Sequence, residues 1–157
     1  MSIKNKIIFF FMLIINCMIL NFSVIAEELD IAASEITIDK EKQFVTAKGS
    51  VVIIDSEGNK LKAERAEYDK VKNQVRTYQD SKLILNSGYI INSADGLYDN
   101  KNKLIISNEK SDLTDLDGNF ISVDMFEYLI NKNLFSSTGK IKIIDINKNK
   151  YFFKEMY

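Results

Sequence analysis

Apolar and polar residues alternate along short runs of the chain, and the runs recur at regular intervals. In the first run, Val45, Ala47, Gly49, Val51 and Ile53 occupy one parity, and mostly polar residues stand between them. Strict alternation places the two sets on opposite faces of a β-strand. The run is therefore predicted to be a strand with one face in a core.

A second run follows the first after a turn that contains Gly58. It begins with Leu61 and Ala63 and then changes phase to Ala66 and Tyr68. A step of three inside a period of two predicts a bulge or bend. Each unit is therefore predicted to be a strand, a glycine turn, a bent strand and a polar turn.

Five columns of residues repeat at a spacing of 30, which indicates one small unit stacked on copies of itself. The columns are Gly58, Gly88 and Gly118; Tyr68, Tyr98 and Tyr128; Val45, Val75, Ile105 and Phe135; Ile53, Leu83, Leu113 and Ile143; and Leu61, Ile91, Ile121 and Tyr151. Such an array builds a long continuous surface, so it favours binding of something elongated over catalysis.

The predicted fold is all-β, an antiparallel, twisted, open jelly roll of about eight strands with the apolar parities inside. Residues 60–72 have a helix-friendly composition, but their counterparts at 90–102 and 120–132 do not, so all three are predicted to be strands. Glu109 stands on the apolar parity of the third unit and is expected to interrupt the inner face.

The segment from Asp115 to Asn119 superficially resembles a calcium loop because Asp115 and Asp117 precede Gly118. It lacks the later acidic ligands of such a loop, and Gly58 and Gly88 occupy the same place without the two aspartates. A hairpin turn is the better interpretation. We predict no metal and no cofactor.

Composition narrows the function further. The chain has 157 residues and a formal net charge of -1, which gives no strong attraction to nucleic acid or to acidic membranes. It has no His, and the one cysteine, Cys17, lies in the N-terminal apolar run. The commonest general base and a thiol nucleophile are therefore missing from the folded part. We expect no enzyme and assign no catalytic residue.

Residues 1–26 are predicted to be a signal peptide, and residues 27–157 the β domain. Lys4 and Lys6 precede an apolar stretch, and Val24-Ile25-Ala26 fits a peptidase site. The apolar stretch is also just long enough to remain as a membrane anchor. Either alternative places the β domain outside the cytoplasm.

Two segments carry a resemblance to a known family. They are Val45-Thr46-Ala47-Lys48-Gly49-Ser50-Val51 and Leu61-Lys62-Ala63-Glu64-Arg65-Ala66-Glu67-Tyr68-Asp69. They resemble the OstA-like family of lipopolysaccharide transport, whose pattern is an A-x-G-x-V strand followed by an L-x-A-D-x-A-x-Y-D strand. The family includes the periplasmic bridge protein LptA and the N-terminal periplasmic domain of the outer-membrane assembly protein LptD. Glu64 replaces the usual Asp, and the resemblance covers about residues 34–145.

The resemblance implies a periplasmic module that holds the acyl chains of lipopolysaccharide between its sheets. The inner apolar parity supplies the candidate groove: Val45, Val51, Ile53, Leu61, Val75, Leu83, Ile91, Ile105, Leu113, Ile121, Phe135, Ile141 and Ile143. Each of these residues is also what any β-sandwich core requires, so packing remains an alternative role.

The resemblance also implies docking of sheet edges onto similar jelly rolls of the transport bridge, including head-to-tail contacts between copies of this chain. The candidate edge residues are Ile36, Ile38, Tyr151 and Phe153. The fourth unit ends at Tyr157, inside its expected bent strand. That ending fits the front of an LptD-like chain, which would be associated with the outer membrane, and it also fits a short LptA-like bridge. A structural or adhesive β-repeat module without lipid cargo is the rival interpretation.

Overall fold

The computed structural model describes residues 29–157, and the predicted signal peptide or anchor lies outside these residues. The described part is one antiparallel sheet of eleven strands with a short 3-10 turn at Ile130–Lys132. The strands are β1 Asp30–Ala32, β2 Glu35–Asp39, β3 Phe44–Ile54, β4 Lys60–Asp69, β5 Gln74–Ile84, β6 Ile90–Asp99, β7 Leu104–Ser107, β8 Ser111–Thr114, β9 Phe120–Leu129, β10 Leu134–Ile144 and β11 Lys150–Met156.

The sheet is a meander in which neighbours in sequence are neighbours in space. β1 and β2 both pair with β3, and β7 and β8 both lie between β6 and β9. The number of strands exceeds the predicted eight because residues 30–39 form two short strands and a break at 108–110 divides a third-unit strand into two. Glu109 lies exposed in that break, so it interrupts the strand without entering the interior.

The long strands bend near their middles, as the phase change predicted. On β4, Ala63 and Ala66 are both buried, three positions apart. The extra residue of each bulge lies on the strand that pairs with the bent one. The pairing shifts between Lys48 and Val51 on β3, between Tyr78 and Ser81 on β5, and between Thr138 and Ile141 on β10. All but one of the residues inside these shifts have positive φ, including Gly49 at +75° and Gly139 at +105°; the exception is Lys140. Bulges of this kind increase twist and curve the sheet.

Two sets of turns form the rims of the bent sheet. The glycine rim comprises turns 55–59, 85–89, 115–119 and 145–149, and the polar rim comprises turns 40–43, 70–73, 100–103 and 130–133. In each glycine-rim turn, the first residue's N–H donates to the fifth residue's carbonyl. The fourth residue needs a positive φ, +84° at Gly58 and +101° at Gly88, which glycine adopts without strain. Lys148 takes this place in the last turn at +69°.

The bends divide the sheet into two halves that enclose the core. The glycine-rim half contains segments such as 60–63 and 81–84, and the polar-rim half contains segments such as 95–99 and 104–107. Apolar side chains from both halves form one buried cluster. Over residues 29–157, no helix has the length and apolar character needed to span a bilayer.

Candidate functional site

The middle of the interior is filled by side chains from both half-sheets. Leu61, Leu83 and Ile91 of the glycine-rim half and Ile105 and Phe126 of the polar-rim half surround a cavity of about 20 Å³. A space of this size holds about one water molecule. The middle of the roll is therefore packed as a core.

The predicted groove residues lie together in this interior, with different degrees of burial. Those that are buried are Val45, Val51, Ile53, Leu61, Val75, Leu83, Ile91, Ile105, Leu113 and Ile141. Those that are half-buried, all in the C-terminal third, are Ile121, Phe135 and Ile143. Contact of any of them with lipid stays a prediction, and the buried ones require the roll to open first.

A polar seam closes the roll where the two rims meet. The Tyr98 hydroxyl donates to Asp55 Oδ2 at 2.5 Å and lies 3.0 Å from Asn100 Oδ1. Lys103 Nζ donates to the same Asn100 oxygen at 3.0 Å and forms an ion pair with Glu57 Oε1 at 3.3 Å. The seam therefore joins turn 55–59 of the glycine rim to turn 100–103 of the polar rim.

Asp55 is the most heavily hydrogen-bonded carboxylate of the seam. Besides Tyr98, it accepts the Asn59 backbone N–H at 2.9 Å and the Asn59 side-chain amide at 2.8 Å. Burial alone would raise the pKa of Asp55. The hydrogen bonds from Tyr98 and Asn59 and the charge of Lys103 outweigh burial and hold the pKa below its ordinary value. The seam thus contains an ionised acid at neutral pH.

The tyrosine column anchors the turns next to it. The Tyr68 hydroxyl donates to Asn73 at 3.0 Å, and the Tyr128 hydroxyl donates to Asn133 at 2.7 Å. The Tyr128 ring also contacts Tyr89 of the glycine rim, with centroids 5.9 Å apart. One unit after the polar seam, the rims therefore still meet, but through aromatic rings rather than through an ion pair.

The C-terminal end of the roll is open. A cavity of about 280 Å³ lies between the half-sheets there. Its lining is mostly apolar and comprises Tyr89, Ile91, Leu113, Asp115, Ile121, Tyr128, Asn133, Leu134, Phe135, Met156 and Tyr157. This volume approaches the lower end of the range typical for ligand pockets. Four predicted groove residues, Ile91, Leu113, Ile121 and Phe135, line it.

The predicted edge residues lie on the first and last strands of the sheet. Ile36 and Ile38 on β2 are 43% and 56% exposed, and Tyr151 and Phe153 on β11 are 45% and 48% exposed. All four share the parity of buried neighbours, since Ile38 is opposite Val45 and Phe153 is opposite Ile141. Both ends therefore expose the apolar inner face, although docking there stays a prediction.

Sequence reasoning missed the polar seam. Its one available signal was the spacing of Asp and Asn four residues apart, at 55 and 59, at 115 and 119, and at 145 and 149. The same spacing marks all three turns, so it could not indicate that Tyr98 closes only the first of them. Within residues 29–157, no group of three or more His, Cys, Asp or Glu side chains is arranged to hold a metal ion.

Comparison with known proteins rests on the fold alone. No model of a protein family matches the chain, and no curated protein matches it by sequence. The crystal structure of LptH, the LptA homologous periplasmic component of the conserved lipopolysaccharide transport device from Pseudomonas aeruginosa, matches with a TM-score of 0.66 and 10% sequence identity. The match covers 81% of this chain and 94% of that one. The chain therefore has the twisted, OstA-like β jelly-roll fold of LptH, as the sequence resemblance implied.

Proposed function

We propose that this chain is a periplasmic lipopolysaccharide-binding and transport module that holds acyl chains between its half-sheets. The apolar cavity of about 280 Å³ at the open C-terminal end is the observation that carries this proposal. The likeness to a periplasmic component of a lipopolysaccharide transport device agrees with it. Residues 1–26 would serve as the export signal, and no catalytic step is required.

Entry at the open end explains how a packed interior could still carry lipid. Ile121 and Phe135 are half-buried at this end, whereas Ile53 in the middle is 2% exposed. Each methylene that an acyl chain buries contributes about 0.8 kcal/mol, so several methylenes suffice for useful affinity. Partial burial also allows release, which a transport module needs. Deeper entry would require separation of the rims at the polar seam.

A structural β-repeat module without lipid cargo is the second candidate. The filled middle of the roll, with a cavity of only about 20 Å³, favours it. In that case the half-buried residues of the open end would be covered by a protein partner instead of an acyl chain. The two candidates differ in what Ile121 contacts inside the cell.

Site-specific photo-crosslinking separates the two candidates. A photoreactive amino acid would be placed at Ile121, which lines the open cavity, at Ile53 in the packed middle, and at exposed Lys48 as the control. We expect lipopolysaccharide adducts at Ile121 and none at Lys48 in cells that transport lipopolysaccharide. Adducts at Ile53 would indicate that the whole roll opens. A folded, exported protein without adducts at either inner position would favour the structural module.

We also propose that the exposed edges dock with other jelly rolls, including copies of this chain head to tail. β2 and β11 have hydrogen-bonding partners on one side only within residues 29–157, so the other side can accept a strand. Tyr151→Lys and Ile38→Lys place a charge on the docking face, and Leu116→Lys in an exposed turn is the control. Sedimentation should show loss of assembly for the two edge variants alone. Equal assembly by all three variants would contradict edge docking.

A further inference from the structure

A cleft of about 500 Å³ lies over the bend of the sheet near the C-terminal end, apart from the open cavity of the interior. Lys110, Lys140 and Lys142 line it together with Asp124. Ser122, Ile141, Phe152 and Phe153 complete the lining. Phe152 is 71% exposed, and Phe153 is 48% exposed. The cleft thus combines several positive charges with exposed aromatic rings.

The fold does not require this chemistry at the bend. The positions 60 residues earlier in the repeat are Ser50, Lys62, Glu64, Asp80, Ser81, Lys82, Asn92 and Ser93. There, two lysines stand against two acids, and the two phenylalanine positions are polar. At the C-terminal bend, three lysines stand against one acid. Lys142, Phe152 and Phe153 lie on strands, as do their counterparts, so the difference at these positions is one of side chains. Lys110 lies in the break at 108–110, whereas Ser50 lies within β3.

The three lysines of the cleft have no acidic side chain in the described part of the chain as an ion-pair partner. Across residues 29–157, none of Lys110, Lys140 and Lys142 forms an ion pair. Asp124 forms no ion pair with these lysines, and its Oδ2 accepts the backbone N–H of Lys140 at 2.9 Å. Its one negative charge against three lysines leaves the cleft with an excess of positive charge. Three unpaired ammonium groups around one concave surface form a suitable site for an anion with several oxygens.

We propose that this cleft binds the phosphorylated sugar headgroup of an amphiphile, with Lys110, Lys140 and Lys142 contacting phosphate oxygens and Phe152 packing against a sugar ring. This assignment rests on the proposed function, because the headgroup belongs to the lipid whose acyl chains enter the open end. A volume of about 500 Å³ lies within the range of about 300 to 1,000 Å³ that is typical of ligand pockets. Concavity favours such a ligand over the flat edge of another sheet.

The test uses a probe that has no acyl chains, so it does not depend on the interior. The deacylated, phosphorylated sugar headgroup of lipopolysaccharide would be titrated into the full chain by calorimetry, with the dephosphorylated headgroup and inorganic phosphate as separate arms. The test variant replaces Lys110, Lys140 and Lys142 with Gln. The control variant replaces Lys60, Lys62 and Lys82 with Gln, which removes the same charge from the same half-sheet. Phe152→Ser is a second variant with no change in charge.

We expect the cleft variant to weaken headgroup binding by about tenfold and the control variant by less than about twofold, since each phosphate contact contributes modestly at an exposed site. Phe152→Ser should weaken it by about threefold, because an aromatic contact is lost. The dephosphorylated headgroup should bind weakly to every variant. Inorganic phosphate should bind more weakly than the headgroup.

Three results would overturn the proposal. One is an equal loss in the cleft and control variants, which would indicate net charge alone. Another is absence of headgroup binding by the native chain, even if intact lipopolysaccharide binds, since the proposed function would then survive without the cleft. The third is a change in self-association for the cleft variant without headgroup binding, which would assign the lysines to an acidic protein partner.

Discussion

The turns at 55–59 and 115–119 have the same local structure but different surroundings. In both, the Asn side-chain amide donates to the Asp carboxylate at 2.8 Å, and the Asn backbone N–H donates to the same carboxylate. Asp55 is then buried by Tyr98, whereas Asp115 lines the open cavity. The same turn structure can therefore either hold the two rims together, as at Asp55, or line an open cavity, as at Asp115. The contact between Asp55 and Tyr98 is called the lock below.

The difference lies in what the roll brings against each turn. Turn 55–59 meets the polar rim of a later unit, which supplies Tyr98 and Lys103. No residue within 29–157 takes the place of Tyr98 opposite Asp115. The middle of the roll, around turn 55–59, is consequently closed and packed, whereas the C-terminal end keeps its inner face accessible to a ligand or a partner. The following changes test this contrast.

Truncation of one side-chain column should give the largest contrast in stability. Ile53 and Ile143 belong to the same column of the repeat, but Ile53 is buried and Ile143 is half-buried. Ile53→Ala should lower the free energy of unfolding by about 3 kcal/mol, and Ile143→Ala by about 1 kcal/mol, because less packing is lost at the open end. Chemical denaturation measures both values. Equal losses would mean that the two ends are packed alike in solution.

Removal of the two turn carboxylates should give the next largest contrast. Asp55→Ala leaves the buried Tyr98 hydroxyl without its acceptor and should lower the free energy of unfolding by about 2 kcal/mol. Asp115→Ala loses only contacts within its own turn and should cost about 1 kcal/mol or less. The comparison can be made by thermal unfolding. A larger effect at Asp115 would contradict the assignment of Asp55 as the lock.

Alanine substitutions at two glycines of the glycine rim should lower stability by different amounts, for a steric reason. Both Gly88 and Gly118 have positive φ, so alanine is strained at either site by about 1 kcal/mol. A Cβ on Gly88 would come within 2.7 Å of Leu116 Cδ2, whereas a Cβ on Gly118 would be 3.6 Å from Ile146 Cγ2. Gly88→Ala should therefore destabilise slightly more than Gly118→Ala. Thermal unfolding of the two variants measures the difference. Leu116 is exposed, so equal melting temperatures would indicate that its side chain moves away from the new Cβ.

Acid should weaken the contact between Asp55 and Tyr98, and this is the smallest expected effect. The pKa of Asp55 is lower in the folded chain than in the unfolded chain, so the unfolded chain binds more protons as pH falls below about 4. The stability that Asp55 contributes is full above its unfolded pKa and is lost as pH falls through its folded pKa. Asp55→Asn should flatten this part of the pH profile. Asp117→Asn, in an exposed turn position, is the control.

Local pattern was enough to predict much of the fold. The parity of Val45 to Ile53 predicted β3, and the phase change from Ala63 to Ala66 predicted its bent neighbour. The spacing of Gly58, Gly88 and Gly118 located three turns. Each strand or turn is encoded by residues close together in the sequence, because alternation and positive φ act on the local backbone.

The candidate site was predictable only in part. The sequence placed Ile121 and Ile53 on the same inner face, but it could not distinguish the open position of the first from the packed position of the second. It also indicated that Lys140 and Lys142 face outward, without indicating that Lys110 joins them over one cleft. A net charge of -1 gave no sign of this local positive charge.

The sequence by itself determined the repeating unit, its strands and turns, the apolar face of each strand and the absence of His. These are properties of composition and of backbone periodicity, so they need no knowledge of distant neighbours. Only the tertiary structure decided where the rims meet, which carboxylate Tyr98 closes, and where an opening and a cationic cleft remain. Those features join residues about 15 to 45 positions apart, such as Asp55 and Tyr98 or Lys110 and Lys140, because the curvature of the whole sheet sets their separation.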